Sequence, residues 1–483
     1  MIESNSKIRL QARLGFVLFA FLGVGAVVLR LRNAWRYPLN MGFDAQGNWA
    51  YIESLRQSGV LPDPETAWSA AHPPLFYALS AGLSALLGHP DQQTVVVATR
   101  IVSSVIGLGA IASIVFLVRR LAPQEPLRAW LSGALVLFLP VHIYMSAMLS
   151  EEILVSSLTT FVVVGVIFDL RGNHGVGRPL ALGALAGLAL LTKLSGVLVI
   201  ASAGAAYLIA GWLERGAYWG WVRALAVGLG ASVTGGWFYL QRWFTEGYLY
   251  PSGLEVHRLM FAMPPGERGW VDYVAFPLRS LTDPDLLSSE MIHSVWGSTY
   301  ATIWFDGHRH FLPIEAPGLA FSAFIIGLLA LIPTLAFFVG CARAVRRMTQ
   351  NPNAVDGLLL SLTAMTLLGY MLFTWRNPWF ATVKGSFLLG LVGPFAIYGS
   401  EGLVAGGLFL RERARAVAWT VGLGLMILWL SVLLTFSFEG IFFKREYPGL
   451  DWRSRWPSES GASPVLDEEL VSPLPNRARS ESR

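Results

Sequence analysis

The sequence predicts an all-α, polytopic membrane protein, and three observations lead there. Of its 483 residues, 54% are hydrophobic and only 14% are charged, where soluble domains carry roughly 25% charged residues. Apolar runs long enough to cross about 30 Å of hydrocarbon recur along the chain, and a helix lets such a run leave no backbone group unpaired. Basic residues gather between alternate runs, as expected for loops on one membrane face.

The first run, 14–31, follows Lys7, Arg9 and Arg13 as a secretion signal would. It continues into Arg30 and Arg32 without a small-residue cleavage site, so it reads as a retained helix. Further runs lie at 95–118, 130–148, 153–170, 179–191, 196–213, 220–241, 317–340, 356–373, 384–401 and 416–437, about eleven spans in all. With a cytoplasmic N-terminus, Arg119, Arg120, Arg128, Arg171, Arg178, Arg215, Arg223, Arg343, Arg346, Arg347, Arg411, Arg413 and Arg415 fall inside. The three short outer loops then hold only Lys193, Arg376 and Lys384. The expected orientation in a plasma (inner) membrane is therefore N-terminus in and C-terminus out. Segment 74–88 is apolar but short, and reads as an interfacial helix at the outer surface.

Residues 1–441 are thus expected to form one transmembrane domain, with its chemistry on outer loops 32–94 and 242–316. The tail 442–483, rich in Ser, Pro, Arg and Glu, is expected to be largely disordered. A lone Cys341 excludes an internal disulfide and a cysteine metal cluster. No Walker A sequence, no GxSxG elbow and no paired basic and aromatic surface is present, which argues against nucleotide-driven transport, serine hydrolysis and nucleic acid as a partner. The net charge of +5 is accounted for by the topological arginines.

Asp44 lies in Gly42-Phe43-Asp44-Ala45, about ten residues past the first helix, where a carboxylate meets lipid-borne and water-borne substrates together. Its bland alternative is a helix N-cap. Glu151 and Glu152 stand between two very apolar runs, where ionised groups are costly and usually functional. Lys193, Arg376 and Lys384 are candidates for binding phosphate, against a purely topological role. The large outer loop is rich in aromatic residues and holds His257, a substrate-binding candidate, and a His308-x-His310 pair that lacks further metal ligands at fixed spacing.

A GFD loop followed about 30 residues later by His72-Pro73-Pro74-Leu75 and an apolar helix resembles the outer loop of C-type (GT-C) glycosyltransferases. The pattern is most similar to that of protein O-mannosyltransferases and bacterial aminoarabinose transferases. The likeness extends to Arg100, to Glu151-Glu152, to Leu191-Thr192-Lys193 and to Lys384-Gly385. Two departures concern the donor: Ala45 stands where the mannosyltransferases carry a second acid, and His72 occupies one of two lysine positions near the Pro-Pro step.

The resemblance implies a GT-C-like bundle that moves a sugar, with inversion, from a polyprenyl-phosphate donor to an acceptor hydroxyl on a glycolipid, glycan or protein. It implies a catalytic centre at Asp44 with Glu151 and Glu152; taken with the outer-loop candidates, substrate contacts are expected from His72, Tyr77, Arg100, Lys193, His257, Arg376 and Lys384. No cofactor is assigned, and a divalent cation, magnesium or manganese, is left open, with Asp44 and Glu152 as its ligands if one binds. The rival reading is a multi-helix transporter or lipid flippase of envelope precursors, which usually shows internal repeats and midplane charges.

Overall fold

Each predicted apolar run falls on helical backbone where the computed structural model describes it. The described residues are 20–440, apart from 40, 65–67, 173–174, 252–262, 284, 287 and 313–317. The chain divides into Met1–Pro448 and Gly449–Arg483. The second unit lies outside the described residues, as do His257 and the whole tail 442–483.

The first helix, α1, is seen over 20–36. Then come α2 (Ala45–Ser58), a tight turn at Trp68–Ala71, α3 (Leu75–Leu86) and α4 (Gln92–Leu121). Helix α3 is the short apolar segment expected at the membrane surface. Predicted run 130–148 is broken into α5 (Pro126–Leu137) and α6 (Pro140–Ala147), bent by 51°. Pro140 explains the break, because it brings no N–H and disfavours helical geometry at Leu139 before it.

Next are α7 (Glu152–Arg171), α8 (Gly177–Thr192), α9 (Gly196–Ala210), α10 (Ala217–Ala231) and α11 (Trp237–Glu246). Helices α10 and α11 are one rod interrupted by a π-turn at Ser232–Gly236. The rod touches α8 backbone to backbone. A Cβ on Gly183 would sit 2.2 Å from the Val227 carbonyl oxygen, and one on Gly235 2.2 Å from that of Gly187. Thr234 Oγ1 donates across the seam to the Ala184 carbonyl at 2.9 Å.

After the large loop with α12 (Val295–Trp304) follow α13 (Leu319–Leu329), α14 (Leu331–Gln350), α15 (Ala354–Arg376), α16 (Val392–Arg413) and α17 (Arg415–Thr435). Among the described residues, seven helical stretches are long and apolar enough to cross a membrane, or eight with the bent α5–α6 pair. Helix α8 is shorter than that measure. The central element is α7, 83% buried along its apolar window and packed by α4, α8, α9, α15 and α16.

Arginines expected merely to mark the cytoplasmic loops are in part structural. Arg347 grips Asp356 with Nε at 2.7 Å and Nη2 at 2.9 Å, while Glu401 receives Arg343, Arg347 and Arg128. Asn353 and the Tyr398 hydroxyl also donate to Asp356. These arginines come from α5 and α14, so the network ties four helices at one end of the bundle.

Candidate active site

The loop after α1 is fixed from below before it presents any functional group. Asn33 donates to the Phe436 carbonyl at 2.7 Å and accepts from the Phe438 N–H at 3.0 Å. Tyr37 donates its hydroxyl to the His310 carbonyl at 2.7 Å. Arg100, expected to contact substrate, is instead 1% exposed. Its Nη1 and Nη2 donate to the carbonyls of Tyr37 and Pro38 at 2.6 and 2.9 Å, and its guanidinium lies over the Tyr37 ring. That side chain is a buried clamp on the loop, with both terminal nitrogens used.

Asp44 follows, in a left-handed conformation with φ of 60°. Such backbone costs of order 1–3 kcal/mol for a residue with a Cβ and persists where surroundings enforce it. Asp44 stands at the N-cap position of α2, but its carboxylate makes no capping bond. The carboxylate, 37% exposed, faces Lys384, whose Nζ is 3.8 Å from Oδ2. Lys384 is itself largely covered, with its ammonium 4.3 Å from the centre of the Phe43 ring. Neighbouring Gly385 donates its N–H to Thr302 Oγ1 on α12 at 2.8 Å, anchoring the segment that carries the lysine.

The second charged group gathers at the start of α7. Lys193, at the break between α8 and α9, donates to Glu151 Oε1 at 3.0 Å and Glu152 Oε1 at 2.6 Å. Both glutamates are buried. Burial alone would raise the Glu151 pKa, but Lys193 and then His72 override it and hold the carboxyl down at about 2. Burial likewise opposes the Lys193 charge, and the two glutamates reverse that effect and push its pKa above the ordinary lysine range. Lys193 and Lys384 both lie over Phe387, at 4.9 and 5.8 Å from its centre. One aromatic ring thus joins the two ion-pair groups into a single site.

A polar brace ties the first loop to this cluster. Tyr77 donates to Asn48 Oδ1 at 2.9 Å, and Asn48 Nδ2 donates to the Leu149 carbonyl at 2.8 Å, two residues before Glu151. Tyr51 stacks on Tyr77 at 4.0 Å and donates to the His72 carbonyl. Tyr77 is buried with its hydroxyl committed, so its part is structural. His72 acts on Glu151 electrostatically.

Two expected residues stand elsewhere: His257 is outside the described residues, and Arg376 is exposed at the end of α15. Among the described residues Arg376 joins none of these ion pairs.

The site also includes His308 and His310, which the sequence offered only as a weak metal pair. Their rings meet Phe43 edge-on, at 5.3 and 4.4 Å between centres. His308 Nε2 lies 3.0 Å from the Val383 carbonyl, next to Lys384. An N–H at Nε2 makes that bond, since the carbonyl only accepts. Burial, then His310 and Lys384, pushes the His308 pKa well below the ordinary histidine value, keeping the ring neutral. Asp306 shapes this turn by accepting the N–H groups of Phe311 and Leu312 at 2.6 and 2.7 Å. The short spacing of Asp306 to these histidines was the one sequence clue, and contact with Phe43 had none.

The described residues do not fit a metal between Asp44 and Glu152. No group of three or more His, Cys, Asp or Glu among them is arranged to hold an ion. Asp44 faces Lys384 and Glu152 faces Lys193, so ammonium groups already stand where a cation would be held.

The described helices form an all-α, polytopic bundle with a GT-C-like fold. More particularly, residues 71–234 match the family model of dolichyl-phosphate-mannose-protein mannosyltransferases. Among solved structures, the oligosaccharyltransferase of Archaeoglobus fulgidus with zinc and sulfate is similar over 91% of this chain and 54% of its own, at 13% identity and TM-score 0.54. The same organism's oligosaccharyltransferase AglB, with an inhibitory peptide and dolichol phosphate, is similar over 94% and 59%, at 13% identity and TM-score 0.52. ArnT of Cupriavidus metallidurans with undecaprenyl phosphate covers 87% and 76%, at 16% identity and TM-score 0.47. The chain spans little more than half the length of the archaeal enzymes. No curated protein matches it by sequence. The resemblance read from the GFD and HPPL segments is borne out.

Proposed function

We propose that this protein is an inverting glycosyltransferase that takes a sugar from a polyprenyl-phosphate donor at the outer membrane face. The observation that carries the reading is the Asp44–Lys384 pair. It is a carboxylate and an ammonium 3.8 Å apart, on strained and anchored backbone, with the carboxylate still open to solvent. The family match over residues 71–234 and the dolichol phosphate held by the archaeal relative support a lipid-phosphate donor.

In the reaction, the acceptor oxygen of a glycolipid, glycan or protein hydroxyl attacks the anomeric carbon while its proton passes to Asp44. The bond from that carbon to the phosphate oxygen breaks, and its electron pair leaves with polyprenyl phosphate. Lys384 is the cation for the charge that gathers there. Lys193 is less available, because two glutamates already share its ammonium; its role is to keep Glu151 ionised and to hold both glutamates in place. The positive-inside distribution of the loop arginines supports an outer-face position for this site.

The test uses purified protein in lipid vesicles with a polyprenyl-phosphate sugar. Asp44→Asn should abolish most turnover while donor binding survives, and Lys384→Met should weaken donor binding. Native turnover by both variants would reject the reading.

A further inference from the structure

The large loop carries an apolar surface that the site does not use. Trp270, Val271, Val274 and Leu278 are 72, 52, 71 and 78% exposed, within a stretch whose only charge is Asp272. That carboxylate is occupied, accepting the Gly269 N–H at 2.8 Å. Contiguous exposed apolar side chains of this kind mark a contact surface.

The loop's anchors show how deep it lies. Tyr273 donates to the Met371 carbonyl at 3.2 Å and pairs with Thr374 Oγ1 at 2.9 Å. Met371 is five residues before the end of α15, about 7 Å inward along a helix. The short helical turn Arg279–Thr282 packs on α13. There a Cβ on Gly327 would lie 2.5 Å from the Leu281 carbonyl oxygen. Gly327 is eight residues into α13, about 12 Å from its start. Both helices belong to stretches able to cross a membrane, so both ends of the segment are fastened below the helix termini.

The neighbouring face of α15 is lipid-like. Leu368, Leu372, Phe373 and Trp375 are exposed there, and Trp375 lies 5.9 Å from the Tyr273 ring. The exposed side chains of the loop therefore continue a membrane-facing helix surface. Arg268, just before them, donates to the carbonyls of His293 and Trp379. Gly266 and the Pro264 carbonyl bond Pro378 and Phe380, on the strip leading to Lys384.

We propose that residues 270–278 are a membrane-inserted wedge, seated among the acyl chains of one leaflet beside the candidate site. Helix-end depth, apolar exposure and continuity with α15 all name the same partner, a lipid surface. The cost of backbone at that depth is lowered where its polar groups bond protein, as the N–H groups of Val274 and Ala275 do to the Val271 carbonyl and the Ala275 carbonyl does with the Ser294 hydroxyl. Trp270 opens the wedge and Arg279 follows it, as aromatic and basic anchors bound inserted segments.

Cys341 is the only cysteine, so a Cys341→Ser background accepts single probes. Val274→Cys, Leu278→Cys and, on the exposed end of α2, Ser58→Cys would each carry a nitrobenzoxadiazole probe in nanodiscs of phosphatidylethanolamine and phosphatidylglycerol. Emission at 274 and 278 should be blue-shifted, and dithionite should reduce these probes at least about tenfold more slowly than the one at 58, as burial in the acyl region requires. Lipids brominated along their chains should quench 274 and 278 but not 58. Water-like emission and equal reduction at all three positions would overturn the wedge. Slow reduction without bromine quenching would overturn it too, since protein would then be the shield.

Discussion

Charge is handled in opposite ways at the two ends of α15. In its first turn Asp356 accepts from Arg347, Asn353 and Tyr398, and nearby Glu401 accepts from three arginines. Beyond its other end, Lys384 reaches Asp44 only at 3.8 Å, and Asp44 holds a left-handed backbone with no capping bond. Helix α15 separates the two regions by about 35 Å at 1.5 Å per residue. Both places set a carboxylate against a basic side chain. Saturation of hydrogen bonds marks a strut, and an open, strained ion pair marks a site.

Asp44→Asn and Asp356→Asn sharpen this contrast most. The first should lower turnover by about 10² to 10⁴, the usual contribution of a general base, with little change in thermal unfolding. The second should leave the activity of the folded fraction nearly intact and destabilise by about 1–3 kcal/mol, because it weakens the bonds to a buried carboxylate whose partner Arg347 is part-exposed. Turnover and unfolding in one detergent decide both, and exchanged outcomes would break the comparison.

The next pair lies within the site. Lys193→Met should cost stability, of order 3–5 kcal/mol, by leaving two buried carboxylates without their cation. Lys384→Met should instead raise the donor KM while the protein unfolds normally. Adding Glu151→Gln and Glu152→Gln to Lys193→Met should recover stability but not full activity.

His308 should have a smaller effect. His308→Leu removes the donor to the Val383 carbonyl and should reduce turnover about tenfold, a loss near the 1.4 kcal/mol expected of one hydrogen bond. His308→Gln, which keeps an N–H near that position, should restore most of it. Equal rates for leucine and glutamine would remove His308 from the positioning of Lys384.

The mildest contrast is in pH. Glu151 is held at about 2 against an ordinary 4.5, so its folded-state pKa is depressed. Its contribution to stability is complete above 4.5 and is lost as pH falls toward 2. Glu151→Gln should flatten that part of an acid-unfolding curve, and an unchanged curve would show that Lys193 does not hold the charge.

Much of the fold was legible because membrane spans are written in long apolar runs, and the first loop because its polar residues interrupt them. The convergence of Asp44, Glu151, Glu152, Lys193 and Lys384 followed from placing their loops on one face. What stayed hidden depends on contacts between distant segments. Arg100 reads as a site cation until its nitrogens are seen on the carbonyls of Tyr37 and Pro38. His308 and His310 join through Phe43, and a ring that receives an ammonium looks like any other phenylalanine in a sequence. Arg343 and Arg347 obey the positive-inside pattern and also serve Glu401, so the topological reading was incomplete.

The backbone seam between α8 and α10 has a consequence for how the gene tolerates change. In a saturation scan, intolerance should recur every fourth codon along α8, at Gly183 and Gly187, and be answered at Gly230 and Gly235, since any added Cβ meets main chain there. Gly204 and Gly228, with open space beside them, should accept alanine. Because Lys193 caps the end of α8, a variant that wedges the seam apart would act as a remote active-site allele. It would displace an ammonium from Glu151 and Glu152 without touching either one.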